Sequence, residues 1–200
     1  MLKKTLYIIM SFMLLGLLGA CQGANRESKF VDSFNMVPNP KEIKGEKNDK
    51  GAYKVYRYNA TIKTEENEFK NAMNSFGEYG KRLFDVEFKE DKKADIVLNK
   101  DTGLDGEAYR IVADKKGVKV YASTEKGINN GLATLLQIME KAEEGVYIPA
   151  VEIKDAPDST YRGMMVDLAR DWHEFEYLLN YVDMCYFYKI SVLHLHFTDD

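Results

Sequence analysis

Residues Tyr161–Asp200 read YRGMMVDLARDWHEFEYLLNYVDMCYFYKISVLHLHFTDD, and this stretch decides the fold. Gly163 to Ala169 is apolar apart from Asp167, a run with the length of a buried strand rather than a helix, and it stops at Arg170 and Asp171. From Glu174 the apolar residues Phe175, Leu178, Leu179, Val182 and Tyr186 fall at helical spacing, with Glu174, Glu176 and Asn180 on the other faces. That spacing predicts an amphipathic helix of about four turns. After Lys189, Ile190 to Phe197 is rich in β-branched and apolar residues and runs into Thr198, Asp199 and Asp200. Strand, helix and strand in so short a stretch make one βαβ unit with parallel strands and a right-handed crossover.

Parallel strands place their carboxyl ends on one side of a sheet, so Arg170 is expected beside Asp199 and Asp200. That edge is where α/β barrels and open α/β sheets carry their active sites. His194 and His196, two apart on a strand, share one face. With the two aspartates they form His-x-His-x-x-Asp-Asp, which admits three readings. A zinc site would use the histidines and the carboxylates, but it needs further ligands from other strands and none is visible in the chain. Histidines packed inward, each bonded to a neighbouring polar group, are the structural alternative. In a sugar site the carboxylates accept from hydroxyls and Arg170 donates through a fixed fork. An ordinary salt bridge between Arg170 and Asp199 would use the same groups. Spacing alone leaves sugar site and salt bridge level, with metal behind.

Upstream, Met36 to Lys41 holds two prolines that fix an extended start to a first domain. Tyr53 to Ile62 alternates like one strand with a solvated face, and Thr64 is placed to cap a helix whose Phe69, Met73 and Phe76 are buried, with Leu83 and Phe84 closing it. Ala94 to Leu98 is a short strand. Glu107–Ala113 and Val118–Ala122 form a hairpin across Asp114-Lys115-Lys116-Gly117. A helix over 125–141 turns Ile128, Leu132, Leu135, Leu136 and Met139 to a core, and Tyr147 to Ile153 is a last strand. These elements predict an α+β domain, one sheet with two helices on one face. Gly127 and Gly131 mark close helix-to-sheet packing, since the spacing of a phosphate loop is absent. Lys154 to Asp158 reads as an interdomain linker. With no convergent cluster of titratable residues, this domain reads as structural.

The 200 residues are 45% apolar and 30% charged, an ordinary globular composition, which excludes a disordered chain. A net charge of -4, with no dense Lys/Arg tract beyond the extreme amino terminus, argues against nucleic acid as a partner. Lys3 and Lys4, the apolar run Leu6 to Leu18 and the small residues Gly19 and Ala20 make residues 1–20 a secretory signal. The run is short of the roughly twenty residues that span a bilayer. Leu18-Gly19-Ala20-Cys21 resembles the bacterial lipobox, which implies lipidation of Cys21. The protein is then expected on the outer side of a membrane in the bacterial cell envelope, with residues 21–33 as a polar tether. Cys185, mid-helix among apolar neighbours, reads as a small core hydrophobe, and no intrachain disulfide is available to it.

Arg162 to Arg170, R-G-x-x-x-D-x-x-R, followed by His194 to Asp200, H-x-H-x-x-D-D, resembles the start of the catalytic barrel in glycoside hydrolase family 20, the β-N-acetylhexosaminidases. VPNPKEI from Val37, GEAYRIV from Gly106 and GINNGLATLLQI from Gly127 resemble the small α+β domain that precedes that barrel. The resemblance covers residues 35–200 and implies an α+β domain over 34–156, then the first βαβ of a (β/α)8 TIM barrel over 157–200.

The implied activity is removal of terminal β-linked N-acetylhexosamine (GlcNAc or GalNAc) from glycans or oligosaccharides. It proceeds with retention, the substrate's 2-acetamido oxygen acting as nucleophile, and needs no metal or other cofactor. Arg170 would hold the terminal sugar's 3- and 4-hydroxyls, Asp199 would support that arginine, and His196 would lie nearby. Arg162 and Asp167 match structural positions. The catalytic Asp-Glu pair belongs to a later strand, after residue 200, so no catalytic residue is expected within the chain. A barrel takes about 250 residues, so the chain is expected to be the amino-terminal part of a longer protein and inactive alone. Asp171-Trp172-His173 departs from the family's histidine followed by an aromatic, which leaves the pocket rim open. A non-catalytic glycan-binding lipoprotein and a metal-dependent hydrolase using His194 and His196 stay as alternatives, to be separated by the residues after Asp200.

Overall fold

The computed structural model describes residues 34–45 and 52–198. The signal segment, Cys21, the tether, Asp199 and Asp200 lie outside the described residues. Among those described, a seven-stranded sheet runs in the order β1 (Glu42–Gly45), β10 (Val151–Asp155), β6 (Tyr109–Asp114), β7 (Gly117–Ala122), β5 (Ile96–Lys100), β3 (Thr61–Thr64), β4 (Lys89–Glu90). Its β1 to β7 half is antiparallel and its β7 to β4 half parallel. Along β6 the buried Tyr109, Ile111 and Ala113 alternate with more exposed residues, and β7 answers with Val118, Val120 and Ala122. One face is therefore apolar, and helices α1 (Lys70–Phe84) and α2 (Glu125–Ile138) pack on it and on each other.

The expected single sheet is joined by a second, three-stranded one made of β2 (Tyr53–Tyr56), β9 (Gly145–Ile148) and β8 (Glu140–Ala142). Two runs expected as continuous strands supply β2 and β9, and β8 takes the end of the expected helix. The run from Tyr53 breaks where Asn59 turns back to the Tyr56 carbonyl (3.1 Å), so β2 and β3 enter different sheets. The run from Tyr147 breaks at Pro149, which has no N–H for a ladder, and divides into β9 and β10. Val55, Val146 and Ile148 bring this second sheet into the same core as Ile111, Val120, Leu132 and Ile153.

Two helix boundaries also differ from expectation. Thr64 ends β3, buried, and its hydroxyl accepts from the Glu66 N–H (3.1 Å); a 3₁₀ turn, Asn67–Phe69, starts the helical segment instead. α2 is capped by Thr124, whose hydroxyl accepts from the Gly127 N–H (3.1 Å), and stops at Ile138 because Met139 is extended and leads into β8. The hairpin between β6 and β7 has the expected turn, with Asp114 opposite Gly117 at φ +141°.

Gly127 and Gly131 do mark close packing. A Cβ on Gly127 would stand 2.7 Å from the Ala108 carbonyl oxygen and 2.9 Å from the Ala122 methyl; on Gly131 it would stand 2.8 Å from Val120. Gly127→Ala is expected to destabilise by about 1–3 kcal/mol through overpacking. Gly77, in α1 with open space around it, is the contrast: Gly77→Ala should stabilise by about 0.5–1 kcal/mol. Denaturant melts of the two variants check the opposite signs.

After β10 the chain forms β11 (Gly163–Asp167), α3 (Phe175–Phe187) and β12 (Val192–His196). The two strands pair in parallel from Gly163 opposite Val192 to Asp167 opposite His196. Cys185 Sγ lies 3.8 Å from Met164 Sδ, so Met164 and Val166 face the helix, and Met165, Asp167, His194 and His196 face away from it. Cys185 is only half-buried, though burial still pushes its thiol upward. No residue of α3 is fully buried, and Phe175, Tyr177, Leu179, Val182 and Met184 are exposed. The linker expected over 154–158 is not one at its start: Lys154 and Asp155 belong to β10, opposite Arg110 and Tyr109. Among the described residues no helix is long and apolar enough to cross a membrane.

Candidate functional site

At the carboxyl end of β11 the chain continues to pair beyond the strand, the N–H groups of Leu168 (2.8 Å) and Ala169 (3.2 Å) both donating to the His196 carbonyl. Asp167 organises the turn that follows. Its Oδ1 accepts from the backbone N–H groups of Ala169 and Arg170, both at 3.1 Å, and lies 3.3 Å from His196 Nδ1 across the sheet. Partial desolvation opposes ionisation of this carboxyl. The Arg170 N–H, the His196 ring and the Ala169 N–H outweigh it and hold the group below its ordinary range. One carboxylate thus fixes both the backbone that carries Arg170 and the ring of His196.

The structure brings Arg170 and His196 to neighbouring strand ends, with Arg170 exposed. Asp199, expected beside them, lies outside the described residues. His194 shares the face of His196 and is exposed. Among the described residues no group of three or more His, Cys, Asp or Glu side chains is disposed to hold a metal ion. Trp172, in the segment that departs from the expected motif, is 66% exposed, and the His173 ring lies against Tyr181 and Tyr177, with centroids 5.9 and 6.5 Å away. What this edge offers is a forked cation, an imidazole and exposed aromatic surface on one rim, a combination suited to a polyhydroxylated ligand.

The amino ends of the same strands hold a cluster of which the sequence pointed only to Arg162, as a structural position. Arg162, one residue before β11, donates from Nε to the Lys189 carbonyl (2.7 Å) and from Nη1 to the Ser159 carbonyl (2.5 Å), and its Nη2 pairs with Glu107. Lys189 follows α3 at φ +57° and is buried, its Nζ donating to Tyr109 Oη (2.8 Å) and Asp155 Oδ2 (3.1 Å). Tyr109 in turn donates to Asp155 (2.8 Å), leaving the Thr134 hydroxyl, at 2.6 Å, to donate to it. Burial lowers the Lys189 pKa against the opposing pull of Asp155, and burial raises that of Tyr109 well above its usual value. Beside this cluster Tyr79 donates to Asp183 (2.9 Å) and stacks on Tyr186, centroids 4.5 Å apart. Desolvation, then the Asp183 hydrogen bond, pushes the Tyr79 phenol up to about 12. For the rest of the cluster the sequence carried one signal, a lone lysine inside the apolar run from Tyr186 to Leu195.

Comparison with known proteins adds two profile matches. The profile described as "Glycosyl hydrolase family 20, domain 2" matches residues 33–156, and "Glycosyl hydrolase family 20, catalytic domain" matches residues 160–200. A protein from Vibrio furnissii named beta-hexosaminidase is 39% identical over 107 residues, which is 54% of this chain and 18% of that protein. A beta-N-acetylhexosaminidase from Cellulomonas fimi is 30% identical over 133 residues, 64% of this chain and 27% of that one. The chain thus spans well under a third of each relative. Among solved structures, the exo beta-N-acetylglucosaminidase of Vibrio harveyi in complex with N-acetylglucosamine superposes with a TM-score of 0.77 at 24% identity, over 82% of this chain and 26% of that one, a likeness of fold.

Proposed function

Because the chain belongs to glycosyl hydrolase family 20, we propose that it forms the amino-terminal part of a β-N-acetylhexosaminidase that removes terminal β-linked N-acetylhexosamine from glycans. In this reading β11, α3 and β12 open a (β/α)8 barrel whose remaining strands follow residue 200. The observation that carries it is the Asp167 carboxylate joining the Arg170 turn to His196 across two parallel strand ends. A rim held in that way gives the terminal sugar's hydroxyls a forked donor, with Asp199 as its support. The 2-acetamido oxygen of the substrate is the nucleophile, as in the family's exception to the two-carboxylate scheme. An aspartate that orients it and a glutamate that protonates the leaving oxygen belong to a later strand.

The open, apolar outer side of α3 supports the same reading, because side chains such as Phe175, Leu179 and Val182 are what further barrel elements would cover. The resemblance of Leu18 to Cys21 to a lipobox supports a lipid-anchored enzyme facing outward from a membrane. The test is release of nitrophenol from a p-nitrophenyl N-acetyl-β-glucosaminide by the full-length protein in a membrane fraction. Release is expected there, should move to the soluble fraction in Cys21→Ser, and should be absent from residues 1–200 alone. Retained binding of N-acetylglucosamine with no release by the full-length protein would replace the enzyme with a glycan-binding protein.

A further inference from the structure

We propose that the small domain helps to hold the sugar, with Arg162 and Lys189 acting as positioning residues that set the spacing of Arg170 and His196. This rests on the sugar-site reading above and extends it to residues at the far end of the strands.

β11 and β12 are each five residues long and pair with each other in parallel. Their carboxyl ends carry the rim. Their amino ends are clamped to the small domain by the two ion pairs. Arg162 uses all three nitrogens of its guanidinium there: Nη2 toward Glu107, Nε toward the Lys189 carbonyl and Nη1 toward the Ser159 carbonyl. Its own carbonyl accepts the N–H groups of Ser191 (2.8 Å) and Val192 (3.2 Å), so one residue ties the start of both strands to the segment before β6. Lys189 does the same from the end of α3, reaching β10 and β6 through Asp155 and Tyr109.

The chemistry of these contacts separates a directional clamp from simple adhesion. Apolar packing holds two bodies together but tolerates sliding. A guanidinium fork and an ammonium shared between a carboxylate and a phenol do not, because each bond is lost within a small displacement. A strand is a stiff lever with about 3.3 Å per residue, so a tilt at Gly163 or Val192 reappears at Asp167 and His196. Misplacement of substrate-holding groups by about 1 Å can cost on the order of a hundredfold in rate.

The experiment uses the full-length protein, with kcat/KM on the chromogenic glucosaminide and the Kd of N-acetylglucosamine, at a temperature where circular dichroism shows each variant folded. Glu107→Ala is expected to lower kcat/KM about tenfold or more and to raise the Kd by a similar factor. Glu107→Asp should recover most of that loss. In an Arg170→Ala background Glu107→Ala should cost less than about twofold, since the group being positioned is already gone. Should Glu107→Ala not fold, the same cycle is read on Glu107→Gln, where a loss of about threefold that vanishes in the Arg170→Ala background is expected. Unchanged kcat/KM in the folded variant, or an equal loss with and without Arg170, would overturn the proposal. A wild-type protein with neither activity nor sugar binding would instead overturn the sugar-site reading on which it rests.

Discussion

Arg170→Ala in the full-length protein is expected to lower kcat/KM on an N-acetyl-β-glucosaminide by about two to three orders of magnitude. Two hydrogen bonds from a guanidinium to sugar hydroxyls are each worth about 1.5–3 kcal/mol when a charged partner makes them. Losing both, with the partial compensation that water offers, removes about 3–4 kcal/mol from the transition state and only part of that from the bound substrate. KM should rise and kcat fall together. Arg170→Lys should recover little, because a point charge cannot reproduce the fork. The side chain is exposed on the strand-end rim, so the unfolding free energy should stay within about 0.5 kcal/mol of wild type. Kinetics unchanged in Arg170→Ala would refute its assignment to the sugar.

Asp155→Ala should be among the most destabilising single substitutions in the chain, at about 3–5 kcal/mol, because it leaves the Lys189 ammonium buried beside Tyr109 without its counterion. Lys189→Met should cost less, since it keeps the stem and removes the charge. Replacing both, Asp155→Leu with Lys189→Met, should return stability to near wild type, as exchange of a buried pair for apolar residues commonly does. The pH dependence carries a further sign. Burial places the Lys189 pKa below the 10.5 of an exposed lysine. The unfolded chain therefore binds the proton more tightly, and the cost of burying the charge is felt in full below the folded pKa. It disappears as pH rises through the folded pKa toward 10.5. Asp155→Ala should recover stability over that alkaline window, and denaturant midpoints at neutral and alkaline pH read it directly.

The βαβ unit was legible because each of its elements repeats one signal. Apolar runs of strand length flank a stretch at helical spacing, and the parallel pairing that follows places Arg170 and His196 on one edge. The division of Tyr53–Ile62 and Tyr147–Ile153 between two sheets was not legible from alternation alone. Alternation survives a turn, and only Pro149 announces that a ladder is interrupted. Lys154 and Asp155 looked like solvated linker residues because a charged pair ahead of Ala156-Pro157 reads as surface. What makes Asp155 internal is Lys189, 34 residues away, and no local pattern encodes that partner. The turn at Asp167 lay in between: its carboxylate stood out in an apolar run, but its bonds to the Arg170 N–H and His196 depend on the register of two strands.

The pairing of β1 with β10 has a mechanical consequence. Glu42, where β1 starts, lies opposite Lys154, near where β10 ends, so the chain joins and leaves this part of the sheet at one end of one antiparallel pair. Tension between the two connections would pull across the strands rather than along them. Once Phe34 and Met36 had left the core, it would part the ladder one hydrogen bond at a time from Glu42 toward Gly45. The strands β5, β6 and β7 behind it lie off that line of force. A strain on the amino-terminal side would thus peel one edge strand at low load and leave the sheet that carries Tyr109 and Glu107's neighbours intact.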